Sequence, residues 1–140
     1  MSDGTTIEQL RGVPIFAHLE DGELQHLAGV VTPFEVEPGH VLAEPHHPGS
    51  GMFVITEGSV DVELPGGGTV SLGPGEFVGE LALLADIDRV ARVRSASAVR
   101  GFAIPRAAFR DLLEQHPRIA VAMLPVLAKR LADLEAGLGS

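Results

Sequence analysis

The chain has 140 residues, enough for one packed domain that buries about two-thirds of the surface its unfolded chain exposes. It has no cysteine, which excludes disulfides, thiolate nucleophiles and Cys-ligated metal centres. Its net charge is −9, and residues 1–88 hold 15 of the 19 acids against one base, Arg11, whereas residues 89–140 hold nine bases and four acids. The acidic surface repels nucleic acids and anionic membranes. With no Tyr, no Trp and a single lysine, Lys129, there is no stacking groove for single strands. The polar start, Met1 to Thr6, lacks a signal peptide, and no apolar run approaches about 18 residues. A soluble cytoplasmic chain is therefore expected.

In chain order, Thr5-Thr-Ile-Glu8 has capping-box spacing and predicts a helix start, ended by Val13-Pro14. Asp21 is a predicted cap for a second helix with Leu24, Leu27 and Ala28 on one face. From Val30 to Ile104, short β-branched runs alternate with Gly and Pro. The runs are Val30-Val31, Val41-Leu42, Met52 to Ile55, Val60 to Val62, Thr69 to Leu72, Val90 to Val99 and Phe102 to Ile104. Turn signals about every 8–12 residues predict an antiparallel sandwich or barrel. Pro65-Gly-Gly-Gly68 is a hairpin turn, since no Gly-Lys-Ser/Thr follows to make it a phosphate loop. After Ile104 the period is helical: Phe109, Leu112 and Leu113 share a side, and Pro117 opens a longer helix. The predicted fold class is α+β. Helices occupy about 1–29, a jelly-roll-like antiparallel β-roll 30–104 and further helices 105–140, all in one domain.

Gly79-Glu-Leu-Ala-Leu-Leu84 interrupts the roll with good helix formers. A short helix led by glycine offers exposed N–H groups to a phosphate, and glycine permits close approach. Glu80, in the first turn, can accept hydrogen bonds from sugar hydroxyls. Nine residues on, Arg89 supplies a guanidinium matched to two phosphate oxygens. Val90 and Ala91 are small enough to leave their N–H groups accessible. A phosphate, a ribose and a cation are thus provided for within 13 residues.

Gly79-Glu80-Leu81-Ala82-Leu83 followed by Arg89-Val90-Ala91 resembles the phosphate-binding cassette of cyclic nucleotide-binding domains, the family of catabolite activator proteins, protein kinase A regulatory subunits and cyclic nucleotide-gated channels. The resemblance covers almost the whole chain. Gly39, Gly58 and Gly73-Pro-Gly75 fall at the family's barrel turns, and Phe102-Ala-Ile-Pro105 with Phe109 resembles its strand-to-helix exit. It implies that Glu80 holds the ribose 2′-hydroxyl and Arg89 the cyclic phosphate. Backbone groups of Gly79, Glu80, Leu81 and Ala82, and of Val90 and Ala91, would complete the site. Asp88 stands where the family usually has proline, and Val90 where many members have Ala, Ser or Thr. Ala91 lacks the hydroxyl that favours guanine in some members, so the resemblance implies cAMP over cGMP. The base would rest on aliphatic side chains of the last helix.

Other readings of these residues exist. Arg89 could pair with Asp86 or Asp88 at the surface, and Arg92, Arg94 and Arg100 read as a solvated strand face. Gly39, His46-His47 and Glu57 faintly resemble a cupin metal site, but adjacent strand residues point to opposite faces and Pro45 and Pro48 indicate a loop. His18, His26, His40 and His116 show no ligand spacing. No metal, no cofactor beyond the nucleotide and no catalytic constellation is expected. Leu124, Leu127, Leu131, Leu134 and Leu138 follow 3-4-3-4 spacing, which suits either packing on the roll or a homodimer seam. Pro125, near the first turn of that helix, is expected to bend it. The expected function is a cyclic nucleotide sensor acting through an effector protein or its own dimer, unless the chain is part of something longer. The alternatives are a ligand-free interaction module of the same fold and, remotely, a cupin-like metalloenzyme.

Overall fold

Apolar residues line one side of each terminal helix and both sides of the central strands, and the architecture follows from covering them. The computed structural model describes residues 2–139, with side chains from 5 to 136. Helix α1 (Ser2–Arg11), a 3-10 turn (Pro14–Phe16) and α2 (Asp21–Val30) precede the strands β1 (Thr32–Val36), β2 (Val41–Ala43), β3 (Gly51–Glu57), β4 (Val60–Glu63), β5 (Thr69–Leu72) and β6 (Phe77–Val78). A short helix α3 (Glu80–Leu84) follows, then β7 (Arg92–Ser95), β8 (Val99–Pro105), α4 (Arg106–Gln115) and α5 (Pro117–Gly139).

The strands form two four-stranded antiparallel sheets, β1-β8-β3-β6 and β2-β7-β4-β5. The first sheet lies between two cores. On one face Met52 and Val54 of β3, with Phe102 and Ile104 of β8, pack against Leu10, Phe16, Leu24, Leu27, Phe109 and Met123 of the helical layer. On the other face Ile55 and Val99 meet Ala43, Val60, Leu72 and Val93 of the second sheet. Met52-Phe-Val-Ile55 is an unbroken apolar run because β3 is buried on both sides. Each fully buried side chain of this size contributes about 1.5–3 kcal/mol. Gly39, Gly58 and Gly75 all take positive φ at turns. The Pro65–Gly68 turn joins β4 to β5, closed by the Leu64 N–H donating to Gly68 O at 3.0 Å.

Several boundaries differ from those read in the sequence. Helix α1 begins at Ser2 and runs through Thr5, so the spacing at Thr5–Glu8 lies inside a helix. Residue 20 caps α2 instead of Asp21: the Glu20 N–H donates to Glu23 Oε1 at 3.0 Å. Val30 and Val31 end that helix, and the first strand is Thr32–Val36, whose Pro33 is accommodated at a sheet edge. The run Val90–Val99 divides, because residues 96–98 turn between β7 and β8 while Val90 and Ala91 precede β7. Pro125 is the ninth residue of α5 rather than near its first turn, and the helix continues past it.

Leu124 and Leu131 of the leucine series are 63% and 56% exposed, and Leu134 is exposed as well, whereas Leu127 packs partly against the helical core. The seam is therefore split between solvent and the roll. The Leu138 side chain lies outside the described residues.

Candidate functional site

Gly79 sets the local geometry. It caps α3 in the left-handed region, φ 88°. A Cβ there would lie 2.7 Å from Arg89 Nη1 and 3.0 Å from Gly51 O. Glycine is needed both for the turn and for the close approach of Arg89.

Arg89 is 6% exposed. Its backbone is clamped by the loop containing the two adjacent histidines. The Arg89 N–H donates to His47 O and the His46 N–H donates to Arg89 O, both at 2.8 Å, while Pro48 pairs with Asp88. This clamp aims the side chain inward. Nη2 donates to Gly51 O at 3.0 Å, and the guanidinium carbon lies 5.7 Å from the centre of the Phe53 ring. Nη1 is buried with no hydrogen-bond partner. Burial, reinforced by repulsion from Arg106, lowers the Arg89 pKa, and Glu80 opposes this. Gly51 must itself be glycine, since a Cβ would strike Ile104 O at 2.6 Å.

Glu80, the first residue of α3, is 4% exposed. Burial raises its pKa, while its own backbone N–H, Arg130 and Arg89 pull it back. Arg130, from α5, places Nη1 3.6 Å from Glu80 Oε1, donates Nη2 to Phe77 O at 2.8 Å and stacks 4.6 Å above the Phe77 ring. The last helix is thus fastened to the buried carboxylate.

Gly79 packs closely on the Arg89 guanidinium, and Glu80 lies within the electrostatic reach of Arg89. The other four residues were singled out for their backbone groups. The Leu81 and Val90 side chains are exposed, Ala91 is half-buried, and Ala82 is buried packing whose carbonyl accepts the Ile87 N–H at 3.2 Å. Arg89 does not pair with an aspartate. Asp86 instead binds Arg106, which also reaches Gly49 O at 3.0 Å. Arg92 meets Glu44 at 2.6 Å, Arg94 meets Glu63 at 3.6 Å and Arg100 meets Glu35 at 2.6 Å, so these arginines form a face laced with ion pairs. The His46-His47 segment serves as the backbone clamp. Among the described residues no group of three His, Asp or Glu side chains is arranged to hold a metal ion. Two surface clefts, of about 450 and 310 Å³, are lined by neither Glu80 nor Arg89.

Sequence reasoning missed Arg130, the Gly51 carbonyl and Phe53. One signal for Arg130 was available. It falls three residues after Leu127 and seven after Met123, on the side of α5 that faces the core.

A model of the cyclic nucleotide-binding domain matches residues 33–116. The chain belongs to the cyclic nucleotide-binding domain family. A putative potassium channel protein from Rhodopseudomonas palustris is 32% identical over 134 residues, covering 88% of this chain and 32% of that protein. The regulatory subunit of a cAMP-independent protein kinase A from Trypanosoma brucei superposes with a TM-score of 0.80 at 29% identity, covering 88% of this chain and 45% of that one. A mutant of that subunit carrying Glu→Ala, Thr→Arg and Val→Ala substitutions, bound to cAMP, superposes with a TM-score of 0.76 at 28% identity, covering 91% of this chain and 46% of that one. The chain spans about a third of the length of the curated relatives it matches. No helix among the described residues is long and apolar enough to cross a membrane.

Proposed function

We propose that this cyclic nucleotide-binding domain is a cAMP sensor and acts as a regulatory module rather than a catalyst. One observation carries the reading: a buried guanidinium nitrogen, Arg89 Nη1, held without a partner beside the left-handed Gly79. An unsatisfied buried donor costs about 1–3 kcal/mol, more when charged, and a phosphodiester oxygen is the partner that fits it. Glu80 would accept the ribose 2′-hydroxyl most strongly when ionised; burial raises its pKa, and the fields of Arg130 and Arg89 oppose that shift. The backbones of Gly79 to Ala82 and of Val90 and Ala91 would complete the pocket.

The Trypanosoma mutant supports the choice of ligand. Its Glu→Ala change lies seven residues before the Thr→Arg change, and the Val→Ala change follows immediately. In this chain Ala82 lies seven residues before Arg89, and Val90 follows it. By that spacing, Ala82 and Arg89 match residues introduced in the cAMP-bound mutant, and Val90 matches its unmutated valine.

The nucleotide signal would leave through α5, because Arg130 shares the Glu80 carboxylate with the ribose. A ligand moves a helix only as far as it prefers one position over another. The receiver is an effector protein or a second copy meeting the Leu124, Leu131 and Leu134 stripe, with Leu127 at its inner edge, in the cytoplasm. A second reading, a fold that no longer binds the nucleotide, is favoured by Val90 and Asp88.

Isothermal titration with cAMP and cGMP tests the proposal, with Arg89→Leu as the control. Removing one partner of a buried charged contact costs about 3–5 kcal/mol, so the variant should bind at least a hundredfold more weakly. Heat from neither protein would favour the second reading, and equal heat from both would overturn the Arg89 site.

A further inference from the structure

Glu23, His26 and His116 form a chain of contacts that nucleotide binding does not use. His116 is 8% exposed and sits at the elbow between α4 and α5. Its N–H closes α4 on Leu112 O at 2.9 Å, and its carbonyl accepts the Ile119 N–H of α5 at 3.0 Å. Both ring nitrogens face α2. Nδ1 lies 3.1 Å from Glu23 Oε2, and Nε2 lies 2.7 Å from Nδ1 of the exposed His26.

The chemistry fixes where the protons sit. The Glu20 backbone N–H and the His116 ring hold the Glu23 carboxyl below the usual carboxylate range, so it is ionised and accepts only. His116 Nδ1 therefore carries a hydrogen. In the neutral ring Nε2 then offers a lone pair, which the His26 Nδ1–H satisfies. One added proton can reside on either ring with the contact intact. A second puts a hydrogen on both facing nitrogens, which cannot remain 2.7 Å apart. The other charged groups nearby are otherwise engaged. Arg118 of α5 donates to His18 O at 3.1 Å while its field reaches Glu23, and Asp111 of α4 accepts from the Gln115 amide at 2.9 Å.

We propose that this relay is a proton-sensitive clasp, holding the α4–α5 elbow against α2 while the two rings share at most one added proton and releasing it when both are protonated. Histidine is the side chain suited to such a change near neutrality. The elbow begins the helix that carries Arg130 to Glu80, so acidification loosens the element fastened to the nucleotide site. The clasp itself needs no bound nucleotide.

The test is urea unfolding of the full chain at pH 7, 6 and 5, comparing the parent with His26→Gln. The Gln amide can present either its N–H or its carbonyl to His116 Nε2, so the variant keeps the contact in both protonation states. The folded parent resists a proton that the unfolded chain accepts. Its folding constant should therefore fall more steeply on acidification than that of the variant, by up to about tenfold per pH unit. The His116 ring should titrate by NMR in two steps in the parent and in one step in the variant. Equal pH slopes, with single-step titration of His116 in both proteins, would overturn the clasp.

Discussion

Arg130 and Glu80 are fifty residues apart in the chain, yet the Arg130 guanidinium lies 3.6 Å from the buried Glu80 carboxylate and covers the Phe77 ring in front of it. One side chain thus holds the C-terminal helix to the segment that resembles a phosphate-binding cassette. Arg130→Met keeps the aliphatic stem but removes the ion pair, the hydrogen bond to Phe77 O and the cation–π contact. The expected loss is about 1–3 kcal/mol by urea denaturation, with faster amide exchange along α5. Arg130→Lys should recover only part of it, because an ammonium cannot reproduce the planar fork. A variant as stable as the parent, with unchanged exchange, would show that Arg130 does not hold α5.

Glu80 is expected to trade stability for binding. Burial raises its pKa. A carboxyl whose folded pKa exceeds its unfolded one costs stability when ionised, and the fold gains as pH falls through the raised value. Glu80→Gln should therefore melt no lower than the parent at pH 7, while cAMP affinity drops tenfold or more. In the parent, affinity should begin to fall on acidification at a higher pH than an ordinary glutamate would dictate. Calorimetric titrations between pH 7 and pH 5 measure this, and a flat profile would remove Glu80 from the binding site.

Val90 directly follows the buried Arg89 in the chain. Its β-branched side chain is exposed. Val90→Ala shortens that side chain and opens the backbone N–H groups beside it to a phosphate. The expected result is cAMP binding tightened about threefold to tenfold, or about 0.6–1.4 kcal/mol. Unchanged or weaker binding would separate Val90 from the ligand.

Gly79 joins local conformation to the position of Arg89. Gly79→Ala places a methyl group 2.7 Å from Arg89 Nη1 at a φ of 88°. The left-handed backbone costs a non-glycine residue about 1–2 kcal/mol. Displacement of the guanidinium should also abolish the thermal shift given by cAMP. A ligand at a hundred times its dissociation constant adds about 2.7 kcal/mol, several degrees for a domain of this size. Retention of that shift in the variant would show that Arg89 can be held without the close approach.

Much of the fold was legible because its signals are local. The Thr69–Leu72 strand, the Pro65–Gly68 turn and the Arg106–Gln115 and Pro117 helices follow from turn chemistry and periodicity. β1 was hidden by Pro33 and Glu35, which look unlike a strand until its place at a sheet edge is known. β6 is two residues long, too short for any period to register. At α2 the choice of cap turned on the Glu20 backbone reaching Glu23, which the preference for Asp at such positions conceals.

By itself the sequence determined the short helix led by Gly79 and the family, because the signals for both lie within 13 consecutive residues whose turn geometry is dictated nearby. Only the tertiary structure decided that Arg89 reaches the Gly51 carbonyl across 38 residues, that Arg130 fastens α5 to Glu80, and that His26 meets His116 across 90. No spacing rule encodes such partners. They are chosen when the helical layer and the two sheets bury their apolar faces together, and the charged groups carried along must then find one another.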